Sequence, residues 1–152
     1  MIRLLITIFT SCVFLLIAHS SFAEELLLAR SSQDFPEAMS TLQNAITKKG
    51  YKISKVQRVD EGLNKSGFTS DKYRVVFFGK ANEIRKLSNK YPELIPYIPL
   101  NFTIFAEGRD TLVTTLNPSG LKPYYPNPEI AVVFDRWEKD LREILSVIRN
   151  TK

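Results

Sequence analysis

The only cysteine of the chain, Cys12, and its only histidine, His19, both fall within the first 23 residues. A domain built from residues 24–152 therefore has no thiol nucleophile, no disulfide, no His-based triad and no thiolate or imidazole metal ligand. Acid–base chemistry would have to come from Asp, Glu, Lys or Tyr. Ordinary carboxylates and ammoniums titrate far from neutrality unless a deep environment shifts them. The sequence offers no pair placed to make such an environment. Asp60-Glu61 and Glu24-Glu25 are adjacent carboxylates, but neighbours in a strand point apart, and no third oxygen ligand for calcium accompanies either pair. The segment from Gly62 to Gly67 lacks the strand-then-helix context and the Gly-Lys ending of a phosphate loop. A non-enzymatic domain without cofactor or metal is the expectation.

What remains with recognition chemistry is aromatic. Tyr73, Phe77, Tyr97, Phe105, Tyr125 and Trp137 are the candidate ligand or interface residues, since large rings with a polar edge dominate binding surfaces. Tyr124-Tyr125, set between Pro123 and Pro126, suits gripping an aromatic group or an extended peptide. Its alternative role is to lid the core beside the last helix.

The first 23 residues read as a signal peptide. Arg3 supplies the positive n-region, Leu4 to Ala18 is an apolar run broken by Thr7, Thr10, Ser11 and Cys12, and Ser21-Phe22-Ala23 presents small residues where a signal peptidase reads, predicting cleavage after Ala23. The run is shorter than the ~20 residues of a transmembrane helix, so no stable membrane insertion is expected after cleavage. Retention as an anchor is the alternative. Periplasmic or secreted localisation follows. Losing the leader removes Arg3 and no acid, which lowers the net charge of +5 by one. Lys48, Lys49, Lys52, Lys55, Arg58 and Lys65 cluster early, where a solvated helix end and strand edge explain them better than an acidic partner. No base-stacking motif accompanies them, so nucleic acid is not expected as a partner.

The elements that must position these residues follow from periodicity. Glu25–Ser31 reads as a strand, and Asp34-Phe35-Pro36-Glu37 starts a helix to about Lys49, with Ala38, Met39, Leu42, Ala45 and Ile46 on one face. Tyr51, Ile53 and Val59 mark a second strand whose alternation slips near Lys55-Val56 through a bulge. Glu61 to Asp71 reads as a polar loop or mobile arm. Tyr73–Gly79 is apolar at nearly every position, which predicts a strand covered on both faces. A short helix, Asn82–Asn89, precedes Pro92, Pro96 and Pro99. Leu100–Glu107 alternates cleanly, and Gly108-Arg109-Asp110 turns it into Thr111–Leu116 as a hairpin. Pro128 after the cap Asn127 opens a long helix with Ile130, Val133, Phe134, Trp137, Leu141, Ile144, Leu145 and Ile148 on one face. Its outer face predicts the pairs Asp135–Lys139, Arg136–Asp140 and Glu138–Arg142.

Strand, helix, four strands with a helical insert and a terminal helix make an α+β two-layer sandwich. Both long helices lie on one face of an antiparallel sheet, as a single domain over residues 24–152. The helix ending Lys48-Lys49-Gly50-Tyr51, the run Val75-Val76-Phe77-Phe78-Gly79-Lys80-Ala81, the segment Pro96 to Phe105, and Leu116-Asn117-Pro118 together resemble the bacterial family known as domain of unknown function 302. The resemblance implies a β-α-β4-α fold of the TATA-binding-protein-like class, with members that form dimers. It carries over no catalytic residue. The Pro123 to Pro128 stretch looks like an elaboration of this chain.

Two functions fit the residues. The first is a non-catalytic small-ligand-binding or sensing module of the cell envelope, with an apolar or amphipathic ligand held on the second sheet face or between the long helix and the sheet. The second is a dimer-forming interaction subunit, a homodimer that buries the apolar second face.

Overall fold

The computed structural model describes residues 25–151. The predicted leader, with its cleavage site, Cys12 and His19, lies outside the described residues.

The chain runs β1 (Leu26–Ser31), α1 (Phe35–Lys48), β2 (Lys52–Arg58), α2 (Val59–Lys65), β3 (Tyr73–Gly79), α3 (Ala81–Lys90), a 3-10 turn (Pro92–Tyr97), β4 (Leu100–Glu107), β5 (Asp110–Leu116), a second 3-10 turn (Pro118–Tyr124) and α4 (Pro128–Asn150). The five strands form one sheet in the order β1-β5-β4-β3-β2, every neighbouring pair antiparallel. This is the α+β two-layer architecture read from the sequence.

Local chemistry explains the boundaries. Asp34 caps α1 by accepting from the Glu37 N–H at 3.1 Å. Asn127 does the same for α4 through the Glu129 N–H at 2.9 Å, and Pro128 follows where its missing donor costs nothing. Gly108 turns the β4–β5 hairpin at φ +61°, a conformation that a side chain disfavours. The bulge expected in β2 is present between Ile53 and Lys55.

The core lies between the inner sheet face and the two long helices. Val76 and Phe78 of β3, Phe102 and Ile104 of β4, and Val113 of β5 meet Leu42 and Ile46 of α1 and Phe134, Leu141, Ile144 and Ile148 of α4, all without measurable or with about 1% exposure. Burying each such side chain contributes roughly 1.5–3 kcal/mol before entropy is counted. Phe78 stacks on Phe102 at 5.2 Å and meets the edge of Tyr51 at 5.4 Å.

Two expectations are corrected. Val59–Lys65, read as strand end and loop, is a helix. Its second residue, Asp60, is buried and ion-paired with Arg74 of β3, so a tertiary partner stabilises a helical turn that periodicity did not show. Of the three surface pairs expected on α4, only Glu138–Arg142 forms, at 2.7 Å. Asp135 instead pairs with Lys122, Arg136 with Glu83 of α3, and Asp140 with Lys49 at 3.7 Å and with the Tyr51 hydroxyl at 2.7 Å. The helix lies among neighbours, so its charges bridge elements rather than run along its own surface. On β3, the long helices of this chain cover one face. Val76 and Phe78 are buried, whereas Tyr73, Val75 and Phe77 are half-buried on the other.

Candidate functional site

The six candidate aromatics divide into two groups. Tyr97, Tyr125 and Trp137 come together at the end of the sheet where β4 begins and β5 ends. The 3-10 turn Pro92–Tyr97 delivers Tyr97, the end of the turn Pro118–Tyr124 delivers Tyr125, and α4 delivers Trp137. Tyr125 meets Tyr97 edge-on at 5.9 Å and Phe134 at 5.8 Å, and Phe134 meets Trp137 at 5.9 Å. Prolines start both turns, because their fixed φ suits a first helical position. Tyr125 is thus a lid on the core beside α4, while Tyr124 stands 77% exposed.

A slot of about 140 Å³ opens against this cluster. Tyr97 and Trp137 form its aromatic walls; Pro96, Leu100, Leu116, Pro118 and Leu121 complete the apolar lining; Asn101 and Thr115 are its polar members. No charged side chain lines it. The Thr115 hydroxyl donates to the Asn101 carbonyl at 2.7 Å. Below the slot Asn117, itself buried, caps the turn by accepting from the Ser119 N–H at 3.1 Å, and its N–H donates to Glu25 O at 2.9 Å. These bonds hold the Leu-Asn-Pro corner rigid.

Charge surrounds the slot without entering it. Lys122 engages Asp135 and holds that carboxyl below the usual carboxylate range. Lys90 and Tyr91 do the same to Glu129 at the α4 N-terminus, where the helix dipole also favours the anion. Both shifts run opposite to what a general acid near neutrality needs. Among the described residues no group of three His, Cys, Asp or Glu could hold a metal ion, and no helix is long and apolar enough to cross a membrane.

The second group lies on the outer sheet face. Tyr73 of β3 and Phe105 of β4 are register partners whose rings meet at 6.5 Å, and Phe77 sits four residues along β3 on the same side. Leu112 is buried between its register neighbours Phe105 and Arg30, while Leu26, Leu28 and Leu116 are exposed at 57%, 46% and 46%. Together they make a half-open apolar surface.

Sequence reasoning picked the aromatic walls but missed Leu100, Asn101, Thr115, Leu116, Pro118 and Leu121. The available signal was the pairing of two proline-bounded turns, one before β4 and one after β5, which any antiparallel hairpin brings to the same end.

The early basic cluster does not act as one patch. Lys49, at the end of α1, is engaged by Asp140 and Glu143, and Arg58, at the end of β2, by Glu61, which leaves Lys52 and Lys55 exposed along the β2 edge. Lysines along an open edge strand discourage a second chain from pairing there.

A crystal structure described as that of an uncharacterized conserved protein DUF302 from Bacillus stearothermophilus shares this fold. The TM-score is 0.76 at 18% identity, covering 84% of this chain and 100% of that one. No curated protein matches the chain. A family model for the domain of unknown function DUF302 matches residues 28–148, from β1 to the last turns of α4. The chain belongs to the DUF302 family.

Proposed function

We propose that this domain is an exported, non-catalytic module of the cell envelope that binds a small apolar or amphipathic ligand in the slot between the two 3-10 turns. The observation that carries the reading is the lining itself: two aromatic walls and a ring of aliphatic and proline side chains around one polar pair, at the rim of a rigid core. Small-molecule sites have this composition. The charged groups that flank the slot are paired with one another, which favours binding over catalysis.

The test is native mass spectrometry of the protein purified from its own envelope fraction. The expected spectrum shows a chain beginning at Glu24 and a subpopulation carrying a small noncovalent mass. A chain that still begins at Met1 removes the export reading, and a homogeneous unliganded mass removes the ligand.

One observation favours a second reading, a dimer-forming interaction subunit. Leu26, Leu28 and Leu116 are exposed on the sheet face that the long helices leave open, where Phe77 and Phe105 are half-buried, and open apolar side chains of this kind are what interfaces cover. A mass that doubles with concentration, with no retained small molecule, selects it.

A further inference from the structure

The hydrogen-bond ladder between β4 and β5 runs from Glu107 and Asp110 at the hairpin to Thr103 and Thr114, and stops there. Both strands continue, β4 back to Leu100 alongside β3 and β5 on to Leu116 alongside β1. The two central strands therefore part at the end where the slot lies. Antiparallel alternation aims the peptide groups of Asn101 and Leu116 into the gap, because their neighbours in sequence are committed to the other sides. The Asn117 N–H, one residue on, is held by Glu25 across the β1 edge. The Thr115 hydroxyl occupies the Asn101 carbonyl. The same hydroxyl makes a longer contact of 3.5 Å with the Leu116 carbonyl. By the alternation, the gap thus offers the Asn101 and Leu116 N–H groups as donors, beside the rings of Tyr97 and Trp137 that line the slot.

Resting on the binding reading above, we infer that the slot takes a neutral, single-ring aromatic molecule bearing one hydrogen-bond-accepting oxygen, a simple phenol being the type. The volume admits one ring: an apolar cavity of about 150 Å³ takes up benzene. The 140 Å³ between the walls holds one ring, and a fused system or a long acyl chain would project from it into solvent. The absence of any cation from the lining disfavours a carboxylate, whose desolvation would go unanswered. Two ring walls favour a flat π-system over a saturated ring of the same size. The parted ladder supplies the donor for the oxygen.

Trp137 is the only tryptophan of the chain and lines the slot, so its fluorescence reports occupancy directly. The experiment titrates the natively purified protein with p-cresol, toluene, cyclohexanol and benzoate, and repeats each titration with Leu116→Phe, which fills the mouth at a half-exposed position and leaves the core intact. The inference expects p-cresol to bind about three- to tenfold tighter than cyclohexanol. Against toluene the expected margin is about fivefold, the worth of one hydrogen bond. Benzoate is expected to bind weakest, and the variant to lose all four while melting within a few degrees of the parent. Cyclohexanol or benzoate matching p-cresol, with both lost in Leu116→Phe, overturns the ring inference and leaves the binding reading in place. Silence of all four probes overturns the inference; the binding reading falls with it only if the native protein also retains no small molecule. As a second variant, Thr115→Val frees the Asn101 carbonyl, an acceptor that a phenol's hydroxyl can reach, and should widen the p-cresol preference over toluene; a preference left unchanged or narrowed overturns the placement of the oxygen at the parted ladder. Leu116 also borders Leu26 on the outer face, so a p-cresol preference that vanishes in Leu116→Phe but is lost as well in Leu26→Ala overturns the assignment to the slot.

Discussion

The two faces of the sheet are made by the same strands and have different fates. On β4, Phe102 points inward and is fully buried against Phe78, while Phe105, three residues on, points outward and is half-buried. On β3, Phe78 and Phe77 repeat the contrast one residue apart. The inner face has α1 and α4 for cover, and helix side chains close over it without exposed remainder. The outer face has only its own register neighbours, Tyr73 against Phe105 and Leu112 between Phe105 and Arg30. The lesson is that apolar residue type decides that a position wants to be buried, while the layer arrangement decides whether the chain itself can do so.

The contrast can be broken by mutation. Phe102→Ala should lower the unfolding free energy in urea by about 3–5 kcal/mol, since it removes a ring from a site with no room to collapse. A loss below about 1 kcal/mol would mean that the inner face is not the core. Gly79→Val should cost about 1–3 kcal/mol, because a Cβ there meets the Ile84 side chain of α3, whose tip must leave its packed position. Phe105→Ala should cost only about 1 kcal/mol in the monomer, as half the ring already meets water. If instead it costs as much as Phe102→Ala and the difference grows with protein concentration, the outer face is buried in an assembly. Leu28→Ser, at an exposed position, should change monomer stability by no more than about 0.5 kcal/mol, and sedimentation would show whether it lowers the mass.

The smallest effect is one of pH. Tyr51 is largely buried, its hydroxyl donates to Asp140, and burial together with that bond raises its pKa well above the phenol's ordinary 10.0. A folded pKa raised above the unfolded one means that stability is intact below pH 10.0 and falls as the pH rises beyond it, because only the unfolded chain can release the proton there. An absorbance titration should show one of the six tyrosines ionising only with unfolding. Tyr51→Phe should abolish that part of the alkaline slope.

Much of this fold was legible along the chain. The clean alternation of Leu100, Phe102, Ile104 and Ala106, the 3.6-residue recurrence from Ile130 to Ile148, and the cap residues Asp34 and Asn127 are local signals, and local geometry satisfied them. The helix Val59–Lys65 was not legible, because what stabilises it is the pairing of Asp60 with Arg74 on another element. The partners of Asp135, Arg136 and Asp140 were misread for the same reason. Four-residue spacing identifies possible pairs on an isolated helix, and α4 is not isolated. Of the slot, the rings of Tyr97 and Trp137 were visible as types, but the parting of β4 from β5 depends on each strand being held by its outer neighbour.

By itself, then, the order of residues determined which segments are helix or strand, which side of each seeks burial, and that neither thiol nor imidazole chemistry belongs to the body of the domain. Those are properties of neighbours within a few positions, where backbone periodicity and side-chain type act directly. Only the assembled sheet decided that Leu100, Thr115 and Trp137, distant in the chain, border one opening, and that one apolar face remains partly open to solvent. Such features arise where elements compete for the same strand edges and the same covering surface, and no local stretch of sequence contains both competitors.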